Sequence, residues 1–164
     1  MKIFKGILIL SLLLGLSACS SKFRTYHGPE VTRIVVLKGE RRMLLYHGTE
    51  VLAAHRIDLG FAPAGHKQFE GDGKTPEGRY LIDRRNPDSS FHLSLGISYP
   101  NAADIEAARA AGKNPGGDIF IHGKAKPGQK RGEDWTAGCI SVSNREIERI
   151  YAMVKDGTVI DIYP

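Results

Sequence analysis

Val31-Thr32-Arg33-Ile34-Val35-Val36-Leu37 is dense in β-branched residues, which fit a pleated, half-buried strand better than a helix. Lys38-Gly39-Glu40 then reads as a turn, Arg41 to Tyr46 as a second strand and His47-Gly48-Thr49 as another turn. Val51 to Leu59 reads as a third strand, although Leu52-Ala53-Ala54 would suit a helix equally well. Short strands joined by tight turns make a β meander. Further strands are read at Arg79 to Ile82, Phe91 to Leu95 and Thr158 to Ile162.

Two helices interrupt this pattern. Asn101 to Ala111 has Asn101 as N-cap, Asp104 three residues on, and Gly112 to end it. The second follows a capping box, Ser143-Asn144-Arg145-Glu146, in which Ser143 and the third helical residue satisfy each other's amides. Ile147, Ile150, Tyr151 and Val154 then recur at helical spacing, so one face packs on a core and Gly157 stops the run. The expected fold is mainly β, a β-sandwich or half-open barrel with two short helices.

Asp118 to Ile121 is a short apolar run, read as a buried strand that delivers His122 at its end, with Gly123 after it. Cys139 follows Thr136-Ala137-Gly138, seventeen positions beyond His122. A cysteine nucleophile needs a base, since a free thiol titrates near pH 8.5, and donors for the oxyanion formed when it attacks a carbonyl. His122 is the best of six histidines for the base. A backbone carbonyl can orient its ring. Gly138 lets the chain approach a substrate, and the amides of Gly138 and Cys139 are candidate oxyanion donors. Trp135 reads as a loop anchor and Lys124 to Asp134 as an exposed loop.

The N-terminus sets the context. Lys2 and Lys5 precede an apolar stretch from Ile7 to Leu14 and then small residues, which is the pattern of a signal peptide over residues 1–18. Leu16-Ser17-Ala18-Cys19 resembles a bacterial lipobox, so Cys19 is expected to be the lipidated first residue. Residue 20 is Ser rather than Asp, which resembles the outer-membrane sorting pattern. The expected location is thus the periplasmic face of a bacterial membrane, as an outer-membrane lipoprotein. Residues 19–30 read as lipidated N-terminus and tether, and 31–164 as one catalytic domain. About 146 residues remain after processing, enough for a single core. Lipidation would leave Cys139 as an unpaired thiol in an exported protein. The net charge of +5 falls to +3 once Lys2 and Lys5 are lost, a balance suited to an anionic wall or lipid surface. Lys and Arg are scattered, without the dense run or reader motif of a nucleic-acid binder.

Other chemistries fit less well. Gly71-Asp72-Gly73-Lys74-Thr75-Pro76-Glu77-Gly78 is glycine-rich, but a phosphate loop would need Gly where Gln68 stands, and a dinucleotide fingerprint would need Gly at Pro76. It reads as a structural turn. His27, His47, His55, His66 and His92 have no metal-ligand spacing with each other or with Cys139, so no metal or cofactor is expected. They read as surface or packing residues, with His66 and His92 as candidates to line a groove. A thiol redox protein would need a C-x-x-C pair, and none is present.

Ile121-His122-Gly123, the seventeen-residue step, Thr136-Ala137-Gly138-Cys139-Ile140 and the turn from Gly71 to Gly78 together resemble the L,D-transpeptidase family of peptidoglycan enzymes. The resemblance runs from Val31 to Tyr163. It implies a β-rich sandwich-like fold with the cysteine under a partly covered pocket. It also implies that Cys139 attacks the carbonyl at the L-centre of diaminopimelate in a wall stem peptide, forming a thioester while D-alanine leaves. An amine from another stem, a lipoprotein lysine or a free D-amino acid completes the transfer. By the same resemblance His122 is base and acid, the Gly123 carbonyl holds its ring, and the amides of Ala137, Gly138 and Cys139 line the oxyanion site. Many members carry His at the position of Ala137 and Arg or Asn at that of Ser141. The stretch from Gly65 to Pro100 resembles a side branch with members that hydrolyse the link between wall and bound lipoprotein. Hydrolysis is therefore the alternative function, and a non-catalytic wall-binding lipoprotein a further one. The implied partners are peptidoglycan, a wall-linked lipoprotein, and a membrane through the lipid anchor.

Overall fold

A computed structural model describes residues 21–124 and 132–164. Its strands are β1 (Arg33–Leu37), β2 (Arg42–His47), β3 (Glu50–Arg56), β4 (Gly78–Asn86), β5 (Ser94–Ile97), β6 (Phe120–His122), β7 (Ile140–Ser141) and β8 (Val159–Tyr163). Two helices lie among the described residues, α1 (Ala102–Ala110) and α2 (Asn144–Met153). The strands form one sheet in the order β3-β2-β1-β8-β4-β5-β6-β7. Neighbours are antiparallel except β1–β8 and β6–β7. The chain leaving β3 reaches the far edge, where Asp58 and Ser141 exchange backbone bonds of 2.9 and 2.8 Å. The Phe61 N–H donates to the Thr136 carbonyl at 2.9 Å. These links curl the sheet into a half-barrel.

The core follows from the pattern of apolar residues. Ile34, Met43, Leu45, Ile82, Leu95, Ile97, Ile121, Ile140 and Ile160 are fully buried, each side chain contributing about 1.5–3 kcal/mol by leaving water. α2 presents Ile147, Ile150 and Tyr151 to that core and packs against β5 and β6. Both helices begin with a complete capping box, Asn101/Asp104 and Ser143/Glu146. The helix that carries the strongest apolar stripe thus braces the strand that carries His122.

Lys38 is an unexpected member of the interior, 2% exposed. Its ammonium donates to Gly65 O at 2.7 Å, Thr75 O at 2.9 Å and Glu77 Oε1 at 2.8 Å. Burial pushes its pKa down and Glu77 opposes that shift. With all three donors satisfied, it ties the 65–77 segment to the β1–β2 corner.

The glycine-rich segment is a structural turn. The buried Asp72 carboxylate accepts from the amides of Gln68, Phe69 and Lys74 and from Lys67 Nζ. Burial would raise its pKa, but those donors outweigh it and hold the carboxylate ionised. β5 starts at Ser94 rather than Phe91, because His92 takes a left-handed φ of 76° and the chain turns through Phe91–Leu93. The segment expected to be a tether lies on the domain over the residues described. Lys22 Nζ donates to Pro87 O at 2.6 Å, Arg24 pairs with Glu148 at 2.7 Å, and Phe23 sits 6.4 Å from the Tyr151 ring. The signal peptide and Cys19 fall outside the described residues.

Candidate active site

Two cross-strand rows build the site. Asn86, Ser94, His122 and Ser141 are opposite one another across β4, β5, β6 and β7. Arg84, Gly96 and Phe120 form the next row on the same face. Continuing the β6–β7 register back by one residue brings Cys139 opposite Phe120. Side chains alternate along a strand, so Cys139 points to the face that His122 shares, while Ile121 and Ile140 go to the core. The two Cα atoms are a diagonal apart, about 8 Å for strands spaced about 4.8 Å and two residues along. The Cys139 thiol, half-buried, donates to Asp118 O at 3.5 Å.

His122 is buried at the end of β6, and its ring is held on three sides. Nδ1 lies 2.7 Å from Gly123 O. A carbonyl only accepts, so Nδ1 carries the proton and Nε2 of the neutral ring is the basic nitrogen. Phe91 stacks on the ring at 4.4 Å between centroids, and Trp135 meets it edge-on at 5.6 Å. Gly123 is forced by its surroundings: a Cβ there would stand 2.6 Å from Asn144 Oδ1 and 2.9 Å from both Ile147 Cγ2 and Phe91 O. The carbonyl that orients the imidazole is thus wedged against α2.

The loop before β7 sets the thiol. Thr136 is buried; its hydroxyl donates to Cys139 O at 2.7 Å and accepts from Gly138 N–H at 3.2 Å. Gly138 has φ +139°, and a Cβ would stand 2.7 Å from Lys74 O. A Cβ on Gly60 would stand 2.1 Å from Gly73 O and 3.0 Å from Gly138 Cα. Three backbones therefore converge under the cysteine, and the 71–78 turn acts as its floor. The three amides expected to line the oxyanion site differ in their hydrogen bonding. The Gly138 amide is taken by Thr136, whereas no hydrogen bond to another described residue engages the N–H of Ala137 or Cys139. Two amides rather than three are open.

Burial pushes the Cys139 thiol up, and the Asp118 carboxylate adds to that; the Phe120 N–H and the charges of Lys67 and Arg84 act against it. Burial thus favours the protonated form of the sulfur. A base must take its proton during attack, which makes the neutral tautomer of His122 the significant one.

The remaining candidates lie elsewhere. His66 accepts from the Glu77 amide at 2.9 Å and pairs with Asp104 at 3.0 Å; His92 pairs with Glu148 at 3.0 Å. Both belong to structural networks. Trp135 packs against the His122 and Phe91 rings, as an anchor would. Phe91 carries no sequence signal of a role at the site, because its run reads as an ordinary strand. Ser141 Oγ is buried on the His122 row without a hydrogen-bond partner among the described residues. Among those residues no group of three or more His, Cys, Asp or Glu is placed to hold a metal ion. A cleft of about 500 Å³, lined in part by Arg24, Leu52, His55 and Arg149, lies away from the thiol.

Residues 31–162 match the family model of the YkuD-type L,D-transpeptidase catalytic domain. The chain belongs to the L,D-transpeptidase family. YafK of Escherichia coli strain K12, provisionally designated an L,D-transpeptidase, is 31% identical over 144 residues, 80% of this chain and 53% of YafK. The chain thus spans about half the length of the curated relatives it matches. Among solved structures, the helical cell shape determining protein Pgp2 of Campylobacter jejuni superposes with a TM-score of 0.63 at 27% identity, over 84% of this chain and 49% of Pgp2. L,D-transpeptidase 1 of Mycobacterium tuberculosis, at 14% identity and TM-score 0.53 over 82% of this chain and 62% of its own, shares the L,D-transpeptidase fold.

Proposed function

We propose that the chain is a cysteine acyl-transfer enzyme acting on peptidoglycan stem peptides at the L-centre of diaminopimelate, in cell-wall remodelling. One observation carries this reading. Cys139 immediately precedes β7, and the β6–β7 register extended by one residue sets it on the face that holds His122, whose imidazole is fixed through Nδ1 on Gly123 O. Nε2 of His122 takes the thiol proton as Sγ bonds to the substrate carbonyl carbon. The developing oxyanion is met by the amides of Ala137 and Cys139, a contribution of about 100- to 1000-fold per donor in comparable sites. The carbon–nitrogen bond then breaks, and the imidazolium returns its proton to the departing D-alanine amine. A thioester on Cys139 remains. An incoming amine, deprotonated by His122, completes transfer and restores the thiol.

Water as the acceptor is the second reading, and Ser141 favours it. A short, buried hydroxyl stands where many relatives carry Arg or Asn, so the site has less to fix an acceptor stem with. We further propose that residues 1–18 are a signal peptide and that lipidated Cys19 holds the domain, 31–164, at the periplasmic face of the outer membrane. A wall-linked lipoprotein is then within reach as a partner.

Purified enzyme incubated with wall fragments, with and without added D-amino acid, separates these readings by mass. Transfer gives an amine adduct and hydrolysis gives the water product. A wall-binding lipoprotein without catalysis would give neither, and that result would sink the enzymatic reading.

A further inference from the structure

Arg84 lies three strands from the segment of Cys139 and on the same face of the sheet. It begins the row Arg84, Gly96, Phe120, with Cys139 next in register. Gly96 opens that row: a Cβ there would stand 2.4 Å from Arg84 Cγ. The arginine stem lies across β5 through this gap, and its Cζ ends 4.5 Å from the centroid of the Phe120 ring. The cation is thus held over β6, one strand spacing, about 4.8 Å, from the strand of Cys139. Its Nη1 is 3.1 Å from both carboxylate oxygens of the adjacent Asp83, its Nη2 is 3.1 Å from Asp118 Oδ1, and the carbonyl of that same Asp118 accepts from the thiol. The side chains are open, 41% exposed for Arg84 and 90% for Asp118. An exposed pair of this kind adds little to stability and separates at little cost.

We infer that Arg84 binds a carboxylate of the substrate beside the scissile carbonyl, with Asp83 and Asp118 as its resting partners. The inference rests on the acyl-transfer reading. A guanidinium presents a planar fork that matches a carboxylate in two parallel hydrogen bonds, and the Phe120 ring supports the fork from one side. A stem peptide offers two such groups near the bond to be cut: the terminal carboxylate of the residue that leaves, and the side-chain carboxylate of the diamino acid.

The test uses the full chain and three synthetic stem peptides, one with free carboxylates, one amidated at the leaving residue and one amidated on the diamino acid. Wild type should lose about 10- to 100-fold in kcat/KM on one amidated peptide, and which one names the carboxylate. Arg84→Gln should lose as much on the free peptide and no longer distinguish it from that amide, with Arg84→Lys between the two. Wild-type indifference to both amides, or a glutamine variant that keeps the wild-type preference, would overturn the inference. If wild type turns over no peptide, the acyl-transfer reading fails separately. Calorimetry of the three peptides on Cys139→Ala, with and without Arg84→Gln, then decides the point. A carboxylate preference lost with the arginine supports it, and equal affinities throughout overturn it.

Discussion

Thr136→Val removes one hydroxyl and keeps the shape of the side chain. That hydroxyl donates to Cys139 O at 2.7 Å and accepts from Gly138 N–H at 3.2 Å, so two backbone groups flanking the sulfur lose their partner together. The site is buried, and a buried polar group left unpaired costs about 1–3 kcal/mol. Two of them give a destabilisation of about 2–6 kcal/mol, reduced to the extent that the loop moves to find water. Either response displaces Cys139, and a misplacement of about 1 Å can cost about 100-fold in rate. Thr136→Ser keeps both bonds and drops a methyl group, worth about 0.8 kcal/mol. The assays are urea unfolding and the rate of Cys139 acylation by a carbapenem. The valine variant should unfold at lower urea and acylate about 10- to 100-fold more slowly, with serine near wild type. A valine variant that acylates at the wild-type rate would refute the claim that the hydroxyl bridge presents the sulfur. So would a serine variant damaged as badly as valine.

Gly123→Ala should cost about 1–3 kcal/mol by overpacking and slow acylation more than Thr136→Ser does. The new Cβ would meet Asn144 Oδ1 at 2.6 Å and shift the carbonyl that holds the imidazole; unfolding midpoints and acylation rates check both. His122→Gln should lose about as much activity as Cys139→Ala, because coupled catalytic residues fail as a unit; steady-state kinetics on muropeptides measure it. The Glu146 carboxyl is pulled to about 2 by the His55 ring, against burial and with help from the Ser143 cap. A depressed carboxyl contributes stability that is complete above its unfolded pKa, about 4.3, and is lost as pH falls towards 2. Glu146→Gln should therefore flatten the acid limb of stability between about pH 4.3 and 2, removing about 1–2 kcal/mol at neutral pH once its partial exposure is discounted. Urea titrations at several pH values show whether it does.

What the chain discloses locally and what it conceals divide along physical lines. β1, with its run of β-branched residues, and the two capping boxes depend on neighbours in sequence, so the residues alone announce them. His122 at the end of an apolar run is legible for the same reason. β7 is only two residues long and exists because β6 and Asp58 pair with it, so no periodicity marks it. Phe91 leaves the strand pattern only because His92 adopts a left-handed conformation, which frees its ring to stack on the imidazole. The convergence of Gly60, Gly73 and Gly138, and the row from Arg84 to Cys139, arise from contacts between distant segments. A glycine there looks like any turn glycine in sequence. Residues 19–30 read as a tether because they are polar; over the described part, Lys22 and Arg24 find the carbonyl of Pro87 and Glu148 on the domain, contacts between distant segments that sequence does not announce.

Intact-protein mass spectrometry during turnover of a stem tetrapeptide tests the central claim most directly. The expected result is a transient adduct equal to the peptide less its terminal D-alanine, mapped to Cys139, absent from Cys139→Ala and accumulating when acceptor is withheld. Turnover with no adduct on that residue, or undiminished in Cys139→Ala, would contradict it.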